Sequence, residues 1–260
     1  MFRHQETFFG CLTVQRLKRP PAADGALRVA FDELAATLWH RLRGADSDTD
    51  DVFLATRGFD LGISERCPAL NDEQRCSLHD AGKPTICRVV PLDALSPDNA
   101  QHWVLQSRRA EAHYLGADCI QPGVRPGFAL ITRRLQLLDQ GAEAALTARR
   151  RDLAAERRTW GDAVFELLRA ELFASPKQLE RVPPDGFMTL SVVPVLMVWA
   201  GRSSAARARC LEYLSAQGQL AERLLEQAKR QGQGDAERVR QLTALARSNA
   251  HFALKLKEPT

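Results

Sequence analysis

The sequence predicts a mainly α protein in which an irregular, cysteine-bearing, metal-binding segment packs against a helical C-terminal region. Three observations carry this expectation. Apolar residues recur at helical spacing over residues 25–43 and through most of the chain after residue 96. Residues 52–95 show no such period and are punctuated by Pro68, Pro84, Pro91, Gly58, Gly62 and Gly82. That aperiodic stretch holds three of the six cysteines. A structureless run of this length is unusual inside a compact domain, and a bound metal would supply the order that secondary structure does not.

Residues 1–20 are mixed and end in a basic stretch before Pro20 and Pro21. The first helix is expected over 25–43, with Leu27, Phe31, Leu34, Leu38 and Leu42 on one face and Asp24-Gly25 as its start. Asp46 to Asp51 superficially resembles the opening of a calcium loop, but Asp51 stands where the sharp turn needs glycine and Arg57 where the last carboxylate belongs. A solvated acidic loop is the expectation there. Ser96-Pro97-Asp98 reads as a helix start, with serine to cap, proline suited to the first position and aspartate favoured by the positive helix end. That helix is expected to run to about Leu115. Further helices are expected at 128–140, 142–174, 177–182, 187–200, 203–230 and 235–256, with Ser175-Pro176 and Ser203 as starts and Gly201 and 231–234 as breaks. The organisation expected is a cysteine-cluster metal-binding region over 1–125 and a helical region over 126–260.

Hydrophobic residues make up 45% and charged residues 26% of the 260, which allows a sizeable core. The net charge is +4, from 36 basic and 32 acidic residues that are largely interleaved, so nucleic acid is not an expected partner. The most apolar run, Phe187 to Ala200, spans 14 residues and includes Pro194, too short to cross a membrane. His4 and Glu6 stand where a signal peptide needs apolar residues, so a cytoplasmic location is expected. In a reducing compartment, clustered thiols are metal ligands or catalysts more often than bridges.

The cysteine segment reads Cys67-Pro68-Ala69-Leu70, five residues, Cys76-Ser77-Leu78-His79, seven residues, then Cys87-Arg88-Val89-Val90-Pro91. Thiolates are soft donors suited to zinc or iron–sulfur clusters, and a loop can fold sulfurs from such spacings around one centre. Cys119 could supply the fourth thiolate of a tetrahedral zinc site or a four-iron cluster. His79 could be a further ligand or pack beside the site, and Arg88 could offset its negative charge or lie in a surface ion pair. Cys210, among Ala206, Leu211 and Leu214, is expected in the core. The arginines at 149–151 and 157–158 alternate with Asp152, Glu156 and Asp162 and are expected on a solvated face. No phosphate-binding glycine loop, nucleophile elbow or zinc-protease motif is present.

The pattern C-P-x-L, C-S-L-H, C-R-x-x-P resembles the zinc- or iron-chelating cysteine-cluster proteins, a group including YkgJ-like proteins and the flagellin lysine-N-methylases. Cys67 to Leu70, Cys76 to His79 and Cys87 to Pro91 match its three elements, and Cys119 with Pro122 is a looser match to a later cysteine. The resemblance spans about residues 50–125. The family's dense N-terminal cysteine cluster is represented here by Cys11 alone. The resemblance implies a metal centre, an iron–sulfur cluster (4Fe-4S) before zinc, and a role supporting modification of a protein partner.

The expectation is therefore a cysteine-cluster protein with Cys67, Cys76, Cys87 and Cys119 as metal ligands, Cys11 in reserve, and a protein partner bound through the C-terminal helices. Two other classes stay open: a protein lysine N-methyltransferase like the flagellin enzymes, and a metal-free helical adaptor.

Overall fold

A computed structural model describes residues 4–16, 25–42, 51–59, 67–73, 75–80, 82–110, 120–183, 186–230 and 236–258. The acidic run 46–50, the expected helix start at Asp24 and the Cys119 segment lie outside the described residues. Helices dominate, accompanied by a small antiparallel sheet, so the mainly α expectation holds at that level.

In chain order the elements are β1 (Phe9–Arg16), α1 (Gly25–Leu38), β2 (His40–Arg41), β3 (Asp51–Phe59), α2 (Thr85–Val89), α3 (Gln101–Ala110), β4 (Thr132–Arg133), β5 (Gln136–Leu137), α4 (Gln140–Glu156), α5 (Asp162–Leu172), α6 (Pro176–Leu179), β6 (Met188–Ser191), α7 (Val193–Ala200), α8 (Ser204–Arg230) and α9 (Ala236–Lys257). The chain gathers into two units built from non-adjacent stretches. The first holds 1–15, 54–77 and 159–260, and the second 16–53 and 78–158.

The first unit is organised around β1. The larger sheet runs in the order β2-β3-β1-β6, so β1 is an interior strand. Its central residues Cys11, Leu12, Thr13 and Val14 are all buried, as expected of a strand covered on both faces. β6 pairs with it antiparallel, with Leu12 opposite Leu190 and Thr13 opposite Thr189. On the other side the Thr13 hydroxyl donates to the Ala55 carbonyl at 3.0 Å. A methyl group on Gly58 of β3 would sit 2.7 Å from Phe8 Cβ, so only glycine allows that approach. The long helices α8 and α9 pack against each other, and Phe9 joins Leu220, Ala221 and Leu242 in their shared core. Ser203 caps α8, accepting from the Ala206 amide at 3.1 Å, and Ser175 opens α6, both as the sequence suggested. Gln217, only 3% exposed, bonds four groups: it accepts from the Gly10 amide and the Tyr213 hydroxyl and donates to the carbonyls of Gln5 and Phe8.

The second unit is built on α4. Asp139 caps it, accepting from the Ala142 amide at 2.7 Å. Helices α1 and α2 pack on α4, and Leu27 and Phe31 of α1 share a core with Ala100. In the same unit β2 pairs with the first residues of β3, His40 opposite Val52, with Trp39 and Phe53 in ring contact.

Several sequence expectations are corrected. The helix expected over 128–140 is absent from residues 128–139: turns lead into the β4–β5 hairpin, Arg134 takes a left-handed backbone (φ 54°), and Asp139 caps α4, which begins at Gln140. Residues 9–16 and 51–59 are strands, and both bury runs of residues instead of alternating in and out, so no period-2 pattern marks them. The first helix stops at Leu38 rather than residue 43, since His40 and Arg41 enter the sheet. The helix expected from Ser96 begins as a 3-10 turn at Asp98–Ala100 and becomes α-helical only at Gln101. The stretch expected as one helix over 187–200 is a strand, β6, followed by α7.

Candidate functional site: the cysteine hairpin

Cys67 and Cys76 lie in one small hairpin of the first unit. Pro68 fixes φ at the second position of a turn, and the Leu70 amide closes it by donating to the Cys67 carbonyl at 3.0 Å. Leu70 then pairs antiparallel with Cys76. The amide of Asn71 donates to the Arg75 carbonyl at 2.9 Å, and the amide and hydroxyl of Ser77 donate to the Ala69 carbonyl at 2.8 and 2.9 Å. The tip is closed by the Asn71 side chain, which accepts from the Arg75 amide at 2.8 Å. Ala69, 2% exposed, anchors the hairpin in the protein.

This pattern makes Leu70 and Cys76 a non-hydrogen-bonded pair, the kind whose Cα atoms approach to about 4.5 Å. A turn keeps its end Cα atoms within about 7 Å, so Cys67 and Cys76 stand no more than roughly 12 Å apart at Cα. Cys67 is exposed and Cys76 half-buried.

Cys87 belongs to the second unit, on the short helix α2. Its amide donates to the Pro84 carbonyl at 2.9 Å. The helix is tied to α4 by Thr85, whose hydroxyl donates to Asp152 at 2.9 Å and accepts from Arg149 at 3.5 Å. Val89 is buried while Cys87 and the adjacent Arg88 are exposed. His79 is likewise exposed. Cys119 lies outside the described residues.

The remaining two cysteines are in the interior. Cys11 sits in mid β1, 3% exposed, and burial pushes its thiol up despite the lowering effect of nearby Arg57. Cys210 is fully buried on α8, its Sγ 3.7 Å from the Leu196 carbonyl, and burial pushes it up to about 11, as befits a core residue. The described cysteines form no disulfides.

The soft-donor chemistry of the four proposed ligands suits zinc or an iron–sulfur cluster. Of that set, the structure brings Cys67 and Cys76 into one element and holds Cys87 in the other unit. Among the described residues no group of three or more His, Cys, Asp or Glu side chains is gathered around one point. Likewise, no helix of the described residues is long and apolar enough to cross a membrane.

A second feature escaped the sequence reading. On the second unit an open groove of about 620 Å³ is lined by Ala30, Glu33, Leu34 and Thr37 of α1, residues 97–99, 135–138, and Glu143 and Arg150 of α4. These contributions are scattered over more than a hundred positions, and no local motif marks them.

Comparison with known protein families, with curated proteins and with solved structures returns no match to this chain.

Proposed function

We propose that this is a cysteine-cluster protein that binds an iron–sulfur cluster or zinc through Cys67, Cys76, Cys87 and Cys119. The centre serves a structural or redox role, or supports modification of a protein partner. The observation that supports this reading best is the cysteine hairpin. Its turn, bridge and asparagine closure hold an exposed and a half-exposed thiol within one short, preorganised loop. A thiol meant only for packing would sit where Cys11 and Cys210 sit. Two soft donors in one loop form half of a tetrahedral set, which thiolates from α2 and from the segment after α3 would complete.

Titration of the reduced protein with Co²⁺ tests the ligand set. Thiolate coordination gives intense near-ultraviolet charge-transfer absorption that grows with the number of sulfurs bound. The full chain should saturate at one equivalent, and Cys67→Ser or Cys76→Ser should weaken binding by about a hundredfold, comparable to losing a supporting contact of a metal site or more. Unchanged titrations in the single serine variants at all four positions would refute the assignment.

A metal-free helical interaction protein is the second reading. It rests on the long paired helices α8 and α9, where Leu254 is left 62% exposed. It requires that Cys67→Ser and Cys87→Ser leave both folding and partner binding intact.

A further inference from the structure

We propose that the groove on the second unit is a docking site for a basic segment of a partner protein whose cationic side chains are flanked by apolar ones. The cysteines take no part in this groove. Three carboxylates, Glu33, Asp98 and Glu143, line the groove against a single cation, Arg150. Arg150 is already engaged: it bonds Asp98 and the Ser96 carbonyl at 2.7 Å and the Ala94 carbonyl at 3.2 Å. The formal balance of these side chains is therefore negative, on a chain whose net charge is +4. Glu33 and Glu143 are both exposed, one on α1 and the other on α4.

Most of the remaining lining is apolar. Leu34, Pro97 and Leu137 contribute, and Leu135 and Leu138 remain 47% and 43% exposed, which is unusual for leucine in a concave surface. The side-chain oxygen of Asn99, also on the wall, is buried and accepts no hydrogen bond from the protein.

These features select the occupant. A bare metal ion gains nothing from the leucines and finds Asp98 committed to Arg150. Nucleic acid is repelled by the carboxylates. A lysine or arginine meets the negative charge of Glu33 and Glu143, lays its methylene stem along the apolar lining, and brings neighbouring apolar residues onto Leu135 and Leu138. The volume, about 620 Å³, accommodates a few such side chains.

The test is fluorescence anisotropy with the full chain and three labelled peptides of equal length, alternating lysine–leucine, lysine–glycine and glutamate–leucine. The lysine–leucine peptide should bind, and binding should weaken with added salt. The double variant Glu33→Lys/Glu143→Lys should bind it at least about tenfold more weakly. A control reversing two exposed carboxylates of α8, Glu212→Lys/Glu222→Lys, carries the same change in net charge and should bind as the unaltered protein does. Leu138→Ser should also weaken binding, with circular-dichroism melts establishing that each variant is folded. The proposal is overturned if the lysine–leucine peptide does not bind, or if both double variants lose affinity equally. It is equally overturned if lysine–glycine or glutamate–leucine binds as tightly.

Discussion

Gln217 shows how much one buried polar side chain can fix. Its amide meets the Gly10 amide, the Tyr213 hydroxyl and the carbonyls of Gln5 and Phe8, and so fastens the chain entering β1 onto α8. Fully satisfied, such a group rigidifies; truncated, it leaves buried donors and acceptors unmet. Gln217→Ala should lower unfolding stability by about 2–4 kcal/mol in urea denaturation, since several buried bonds are lost at once. The neighbouring Arg223, whose bond to the Glu6 carbonyl is exposed, should cost less than about 1 kcal/mol when replaced by alanine. Equal losses in the two variants would contradict the clamp. Nothing in the sequence distinguishes Gln217 from the exposed glutamines around it, because its role depends on a segment some two hundred residues away.

The buried thiols and phenol set an alkaline limit. Cys210 is pushed up to about 11 and Cys11 and Tyr213 are also raised, each chiefly by burial. In the unfolded chain these groups ionise near their ordinary values, so above pH 9 the folded state holds more protons than the unfolded one. Stability contributed by keeping them neutral is complete below the ordinary thiol value and is lost as pH rises from about 9 toward 11. Melting temperature should be flat from pH 7 to 8.5 and fall steeply beyond, and Cys210→Ala should show a shallower alkaline fall. An identical slope in that variant would mean Cys210 does not contribute.

At the scale of elements, the segment between α2 and α3 depends on side chains from elsewhere. Gln101, fully buried, accepts from the Asp93 amide and donates to the carbonyls of Asp93 and Ser96, while Arg150 of α4 reaches the Ala94 and Ser96 carbonyls. Arg150→Ala should destabilise the protein by about 1.5–3 kcal/mol by calorimetry, as expected for hydrogen bonds from a charged donor. Arg150→Lys should recover little, because an ammonium cannot span the same acceptors. Full stability in Arg150→Ala would remove it as the organiser of this segment.

This dependence explains which elements were legible in the sequence. The helices α8 and α9 were readable almost to the residue, because Ser203 and the glycines at 232 and 234 bound long amphipathic runs. Asp139 was not read as a cap, so the apolar residues before it were assigned to a helix that does not exist. Strands β1 and β3 were missed because they are buried on both faces and carry no alternation. Ser96, expected to cap, instead donates its hydroxyl to Asp93 and closes a loop.

At the scale of the molecule, two units are woven from alternating stretches of chain, with β3 beginning in one and ending in the other. Such an arrangement is invisible to any reading that moves along the sequence. The candidate site divides in the same way. The chemistry of the cysteines and the turn at Cys67-Pro68 could be read from residue type and spacing, and the hairpin gives that turn a defined shape. Spacing along the chain does not say which thiols share an element, since that is set by tertiary structure. The groove lay further out of reach, for its carboxylates come from separate elements with no common motif.

The most direct measurement is the elemental composition and visible spectrum of the full chain purified without oxygen. A coordinated centre predicts iron with matching acid-labile sulfide and a broad absorption in the visible, or colourless protein with one zinc per chain. Replacing both Cys67 and Cys76 by serine should abolish either signature while the far-ultraviolet circular dichroism stays helical. Protein isolated with neither iron nor zinc, or with the same metal content after both cysteines are replaced, would contradict the proposed cysteine centre.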